Sequence, residues 1–569
     1  MRLPARLRLD SVARRHVVDV AAGRVPADLV VRGGAILNVY TSRLEPGAVG
    51  IAGGRIAWVG DPEDREAQAV LDVDGAVVAP GLIEPHCHPD ILYTPGAAVP
   101  AYITHGTTTV SADIAFLLLS LDDDVLVGVL EAMAGASVKF LWNLRGCLDG
   151  LLPLEAERLS TERLARLLEG VPGVVGSGEL TAWPRLLAGD ERIVTFTEAV
   201  IDAGLRVDGH CAGTSPRTLG ALACAGISAD HEAITPNEVE QRLRLGYWVM
   251  LRHSSLRLDG PELAAGLVAS GLPTDRVMLT TDGPIPSDLA AGHLDAVIHS
   301  VVAAGLDPVT AVRMGSLHPA VYLGLDAHLG GIAPGRCADL VVVESVGSFT
   351  PRLVVTDGRP VISERAADGA VTWRNLEDEG LLPATLDDRT VADVCRAGPT
   401  MTLEGVITRA AASIEGPLPF DASYVALVSR RGDWITGGIL RGLRLRALVS
   451  SFTGSRDILL LGHDLQAMVA AYRRVVALGG GIVTPDAELP LTVLGRLYDG
   501  PLEILAAKLT GLEATLEQSP PVPLPYLLLF LSLAVLPDIR LSPAGVVHVK
   551  TGEVLQPPVP LPTPALSMR

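Results

Sequence analysis

Between residues 75 and 332 the chain alternates short apolar, β-branched runs with stretches of helical spacing. Thr107-Thr108-Thr109-Val110 predicts a strand, and Thr161 to Leu168 carries its apolar side chains at helical intervals until Gly170 ends the pattern. Val174-Val175-Gly176, Arg206-Val207-Asp208, Trp248 to Leu251 and Val277 to Thr281 predict further strands. Strands alternating with helices over about 250 residues fit an α/β fold of the (β/α)8 TIM-barrel type, which presents its chemistry at the C-terminal ends of the strands.

The flanks have a different rhythm. Residues 28–60 alternate apolar runs with the glycine turns Gly33-Gly34 and Gly53-Gly54, and the pattern returns at Ala338 to Val343 and Arg352 to Gly358. These halves predict a small β-sandwich domain formed by residues 1–74 with 333–370, the barrel of 75–332 being inserted between them. Segment 364–390 is charged and aperiodic, as a linker would be. A third, α+β unit over 371–569 is expected from the apolar run Tyr424 to Val428, a helix over Gln466 to Leu478 and the triple glycine Gly479-Gly480-Gly481. The glycines lack a following Gly-Lys-Ser/Thr and predict a tight helix-to-strand turn rather than a phosphate loop. The proline-rich tail from Pro557 is expected to fray.

Length and charge narrow the function. At 569 residues the chain needs two or three domains, and a 48% hydrophobic content describes a folded protein. A net charge of −19 argues against nucleic acid as partner and favours a small neutral or cationic substrate. Six scattered cysteines, with no Cys-x-x-Cys pair, read as reduced thiols. Met1 to Val20 has no apolar signal core, and Tyr526 to Leu536 reaches only about half the ~20 residues of a membrane span. A cytoplasmic enzyme without membrane contact, and a homodimer, is the expectation.

The candidate chemistry starts at Pro80-Gly81-Leu82-Ile83-Glu84-Pro85-His86-Cys87-His88. Residues two apart on a strand face the same way, so His86 and His88 present both imidazoles to one side and Cys87 the other. Glu179, His210, His231 and Asp282 each close a later apolar segment. Imidazoles with carboxylates suit Zn, Fe or Mn, and two divalent metal ions close together would hold and deprotonate a water. Each residue has a plainer reading too: a histidine bonded at a strand end, a glutamate capping a helix, an aspartate forming a turn. Six such coincidences in barrel order weigh against it. His105 reads equally as a supporting or a turn residue, and Asp122-Asp123-Asp124 as a solvated helix start. No Gly-x-Ser-x-Gly nucleophile motif and no nucleobase-deaminase zinc signature is present.

The Pro80–His88 motif, His105-Gly106-Thr107-Thr108-Thr109 and Ile332-Ala333-Pro334-Gly335-Arg336-Cys337-Ala338-Asp339-Leu340 resemble the amidohydrolase superfamily. Val207 to His210, Ala225 to Glu232 and Leu243 to Gly246 are similar to its bacterial adenine deaminases, and Gly437 to Gly442 with Pro490-Leu491 to their extra domain. The resemblance implies a binuclear centre, with His86, His88, His210 and His231 as ligands, Glu179 bridging, and Asp282 as ligand and proton shuttle. It also implies hydrolysis of adenine to hypoxanthine and ammonia. Three segments depart from the family: Asp113-Ile114-Ala115-Phe116, Arg252-His253-Ser254-Ser255 and Thr453-Gly454-Ser455-Arg456-Asp457. Asp113, Arg252 and His253 are therefore expected at the substrate. Because polar contacts set discrimination, a different amino heterocycle or a cyclic amide stands beside adenine. A non-catalytic ligand-binding homologue is the third reading.

Overall fold

The structure, a computed structural model, describes residues 3–62, 65–148, 152–361, 373, 376 and 380–562. Eight short parallel strands surround its centre: β1 (Leu82–Cys87), β2 (Thr107–Asp113), β3 (Lys139–Leu144), β4 (Val174–Ser177), β5 (Val207–Gly209), β6 (Ile227–Asp230), β7 (Trp248–Arg252) and β8 (Val277–Thr280). β1 to β4 pair in sequence order, and so do β5 to β8. Amides of Ser177 and Leu180 donate to the carbonyls of Arg206 and Asp208 at 2.9 and 3.0 Å, joining the two halves. On the other side the Thr280 hydroxyl donates to the His86 carbonyl at 2.7 Å, and β8 packs on β1.

Alternation along each strand sorts the side chains. Ile83, Leu141, Val175, Ala229, Met250 and Met278 make one buried cluster with Leu7 and Tyr322, whereas Leu82, Val110, Val207, Val249 and Val277 join the larger core. The surrounding helices follow from their caps and spacing. Ser160 accepts from the Arg163 amide to start helix Thr161–Gly170, which buries Leu164 and Leu167. Thr235 caps helix Pro236–Arg244 in the same way, with proline in the first turn.

The flanking segments meet in one eight-stranded sheet. Its longest strand, Ala27–Asn38, pairs in parallel with Ala67–Asp72 through its first half and with Val77–Pro80 through its second. An irregularity between Val31 and Gly34, where Gly33 takes φ +86°, lets the halves serve different partners. Val77–Pro80 also pairs with Leu340–Val343, so the apolar run ahead of His86 belongs to this sheet and the barrel starts only at Leu82.

The C-terminal unit has a nine-stranded sheet, a three-stranded sheet and helices that include Leu465–Leu478, Leu502–Glu513 and Leu524–Phe530. Gly479 closes the first helix at φ +73°, and strand Gly481–Val483 follows at once, as the triple glycine predicts. The tail is a correction. Val559–Pro560 is not frayed but pairs antiparallel with Trp434 and Ile435, because the edge of that strand leaves backbone groups to satisfy. Residues 563–569 lie outside the described residues, as does most of the expected linker, of which 373, 376 and 380–390 are described. Among the described residues no helix is long and apolar enough to cross a membrane.

Candidate active site

Each strand from the first set of ligand candidates ends at the same mouth. His86 lies in β1 and His88 just beyond it; Glu179 follows β4, His210 follows β5, His231 follows β6 and Asp282 follows β8. All six come together. Glu179 is the hub: its Oε1 lies 3.5 Å from His88 Nε2, and its Oε2 lies 2.7 Å from His210 Nδ1 and 3.2 Å from His231 Nε2. Asp282 faces it, with Oδ1 3.3 Å from His86 Nε2 and 3.4 Å from His88 Nε2. The His86 and His231 rings stack at 4.3 Å between centroids.

Two arginines hold the two carboxylates, Arg252 by the Asp282 oxygen turned from the histidines and Arg145 by the Glu179 oxygen that also faces His88. Arg252 Nη1 donates to Asp282 Oδ2 at 2.8 Å and also bonds Glu232. Arg145 Nη2 donates to Glu179 Oε1 at 2.8 Å while its Nε donates to Asp113 Oδ2 at 2.8 Å. Burial alone would raise the Asp282 carboxyl, but the Arg252 charge and the facing imidazoles hold it well below the usual carboxylate range. Glu179 behaves alike: burial raises it, and Arg145 and His210 pull it well below. The imidazoles move the other way. Burial opposes the charged form of His210, yet Glu232 and Glu179 push it up to about 9, and Asp208 drives His86 well above its ordinary value against the same opposition.

This donor set fits divalent cations. His86, His88 and Glu179 offer ligand atoms within 4.8 Å of one another, as do Glu179, His210 and His231, so one carboxylate is common to both groups. Both ring nitrogens of His86 and Nδ1 of His231 are buried without an aligned hydrogen bond, although Asp208 Oδ2 sits 2.7 Å from His86 Nδ1. Buried imidazole nitrogens crowded by carboxylates yet bonded to none are what a cation-binding cluster requires.

The residues expected at the substrate have protein partners of their own. Asp113 is fully buried, and its Oδ2 takes Arg145 and the Glu179 amide, the latter at 3.0 Å. Arg252 bonds Asp282 and Glu232 through the same Nη1, and the His253 ring lies against Gly260. The physical reason is common to the first two: a buried charge takes the nearest opposite charge. Arg456 donates to the Leu119 carbonyl at 3.1 Å, His105 pairs with Asp295 at 2.9 Å, and His293 meets the Thr107 hydroxyl at 2.8 Å.

Sequence reasoning missed Asp208, Glu232 and Arg145. Asp208 stands two residues before His210 in the same segment, and Glu232 directly follows His231. Arg145 sits one position past β3, a strand end that the barrel rule already marked as chemical ground.

Comparison with known proteins gives the family of the chain. Residues 77–361 match the amidohydrolase family model, and residues 402–553 match the model of the adenine deaminase C-terminal domain. An adenine deaminase of Nitratidesulfovibrio vulgaris is 33% identical, covering 94% of this chain and 97% of its own. A provisionally named adenine deaminase of Oceanobacillus iheyensis is 31% identical over 96% of this chain and 97% of its own. Among solved structures, an adenosine deaminase from Xanthomonas campestris with bound zinc is similar at a TM-score of 0.45 and 16% identity, covering 62% of this chain and 98% of that one.

Proposed function

The chain belongs to the amidohydrolase family, with the C-terminal domain of adenine deaminases, and from that premise we propose that it hydrolyses adenine to hypoxanthine and ammonia. The observation that carries this reading is the division of labour at the two carboxylates. Glu179 touches three of the imidazoles, and Asp282 keeps one oxygen for the histidines and gives the other to Arg252.

His86, His88 and Glu179 would hold one divalent cation, and Glu179, His210 and His231 a second, with Asp282 completing the set. Manganese, iron and zinc all accept these donors, and such ions supply Lewis acidity that makes a water nucleophilic near neutral pH. The protein's own groups do the rest. Arg252 keeps Asp282 ionised, so its carboxylate can take the proton of the attacking water at Oδ1 and return it to the departing amine. Water adds at C6 of the ring, the C6–N6 bond breaks, and ammonia carries away the proton. Arg145 and Asp113 fix Glu179, so the two histidine pairs keep their spacing through the cycle.

Hydrolysis of a different amino heterocycle or a cyclic amide at the same centre is a second reading. It is favoured by the apolar, buried Ile114-Ala115-Phe116, where a short helix begins after β2, and by the engagement of Asp113 and Arg252 with protein partners. Purified protein assayed for metal content and for ammonia release from adenine tests the first reading. A panel of aminopurines and cyclic amides tests the second: turnover of a panel member with none of adenine replaces the first by the second.

A further inference from the structure

Asp282 occupies an unusual backbone position. It takes φ +56° and the following Gly283 takes φ +80°, so the shuttle residue sits in a left-handed turn that a residue with a Cβ adopts rarely. Such a turn persists when its surroundings over-determine it. Two phenols do so here, donating to consecutive carbonyls. Tyr93, five residues after His88, donates to the Pro284 carbonyl at 2.9 Å, and Tyr526 donates to the Gly283 carbonyl at 3.2 Å.

Tyr526 does not belong to the barrel. It stands on helix Leu524–Phe530 of the C-terminal unit, is 6% exposed, and stacks on Phe530 at 5.7 Å. The helix is fastened from its own side: its Leu529 carbonyl accepts from the Gly454 amide at 3.2 Å. The bond to Gly283 places the ring beside the turn that carries the catalytic carboxylate. Ser255 Oγ accepts from the Ile285 amide at 3.0 Å, on the far side of the same turn. Helix Leu502–Glu513 packs on Pro286–Ala291, the helix into which the Asp282 turn runs. The C-terminal unit thus grips the turn and the helix that follows it.

We propose that Tyr526 is a positioning residue, through which the C-terminal unit holds the Asp282–Gly283 turn in the geometry that proton transfer needs. The phenol acts on the Gly283 carbonyl; Asp282 alone handles the proton. This rests on the role given to Asp282 above, and it assigns the C-terminal unit a part in catalysis rather than in folding alone.

Tyr526→Phe removes the donor and keeps the ring. In the metal-loaded full-length enzyme we expect kcat to fall about 3- to 10-fold, the value of one lost hydrogen bond, with KM within about twofold. Hydrogen–deuterium exchange of the peptide 280–286, which holds the Asp282 and Ile285 amides, should quicken. Leu527→Val, a change on the same helix that leaves both the phenol and the ring it stacks on, should keep wild-type kcat and exchange. Unchanged kcat or unchanged exchange in Tyr526→Phe overturns the proposal, and so does an equal loss in Leu527→Val. If the wild-type enzyme releases no ammonia from adenine, the functional reading has failed, and the exchange comparison alone decides whether Tyr526 holds the turn.

Discussion

Arg145 is where the structure makes its strongest demand. Its guanidinium is 3% exposed and lies between Asp113 Oδ2 at 2.7 Å and Glu179 Oε1 at 2.8 Å. With charge centres about 4 Å apart and an effective dielectric near 20, each attraction is worth about 4 kcal/mol before desolvation, which cancels several kcal/mol of the total. Arg145→Met leaves two buried carboxylates facing each other, and removing one partner of a buried pair costs about 3–5 kcal/mol. For a barrel of this size that lowers the thermal midpoint by about 6–20 °C. Measured by calorimetry on chelator-treated protein, the loss is separated from any change in metal binding. Asp113→Asn in the Arg145→Met background should restore part of it, since one of the two stranded charges is then gone. A midpoint within about 2 °C of wild type would mean that the pair behaves as an exposed bridge, and the account of how Glu179 is held would be wrong.

Asp282→Asn should lower kcat for ammonia release by about 100- to 10,000-fold and also lower the melting temperature, because it removes the proton acceptor and one of the two buried carboxylates paired with Arg252. Chelation should abolish turnover and lower the melting temperature, with both restored by manganese, iron or zinc; for a cation at a hundredfold its Kd the stabilisation is about 2.7 kcal/mol. Away from the site, Lys139 and Arg6 bind Asp357, and although burial opposes its charge these cations hold its carboxyl down at about 2. A depressed carboxyl stabilises the folded state above its unfolded value of about 3.8 and loses that contribution as pH falls towards 2. Asp357→Asn should therefore cost about 2 kcal/mol at pH 6 and almost nothing at pH 2, as read from urea midpoints at the two pH values.

Local pattern carried much of this molecule. The β/α alternation, the His-x-His pair and the single polar residues closing later apolar runs are properties of a few neighbouring positions, and a parallel barrel brings all its strand ends to one mouth whatever their distance along the chain. That is why His86, His88, Glu179, His210, His231 and Asp282 could be named together before any coordinates, and why their convergence follows from topology. What each side chain is bonded to is another matter. Asp113 and Arg252 looked like groups waiting for a substrate, because a sequence shows a charge but not its partner; folded, they pair with Arg145, Glu232 and Asp282. The reach of Tyr526 to Gly283, across 243 residues and two structural units, had no local signal at all. Strand order is encoded by short-range periodicity, whereas the pairing of buried charges and phenols is settled only when packing removes water and leaves each polar group the neighbours that happen to be within 3 Å.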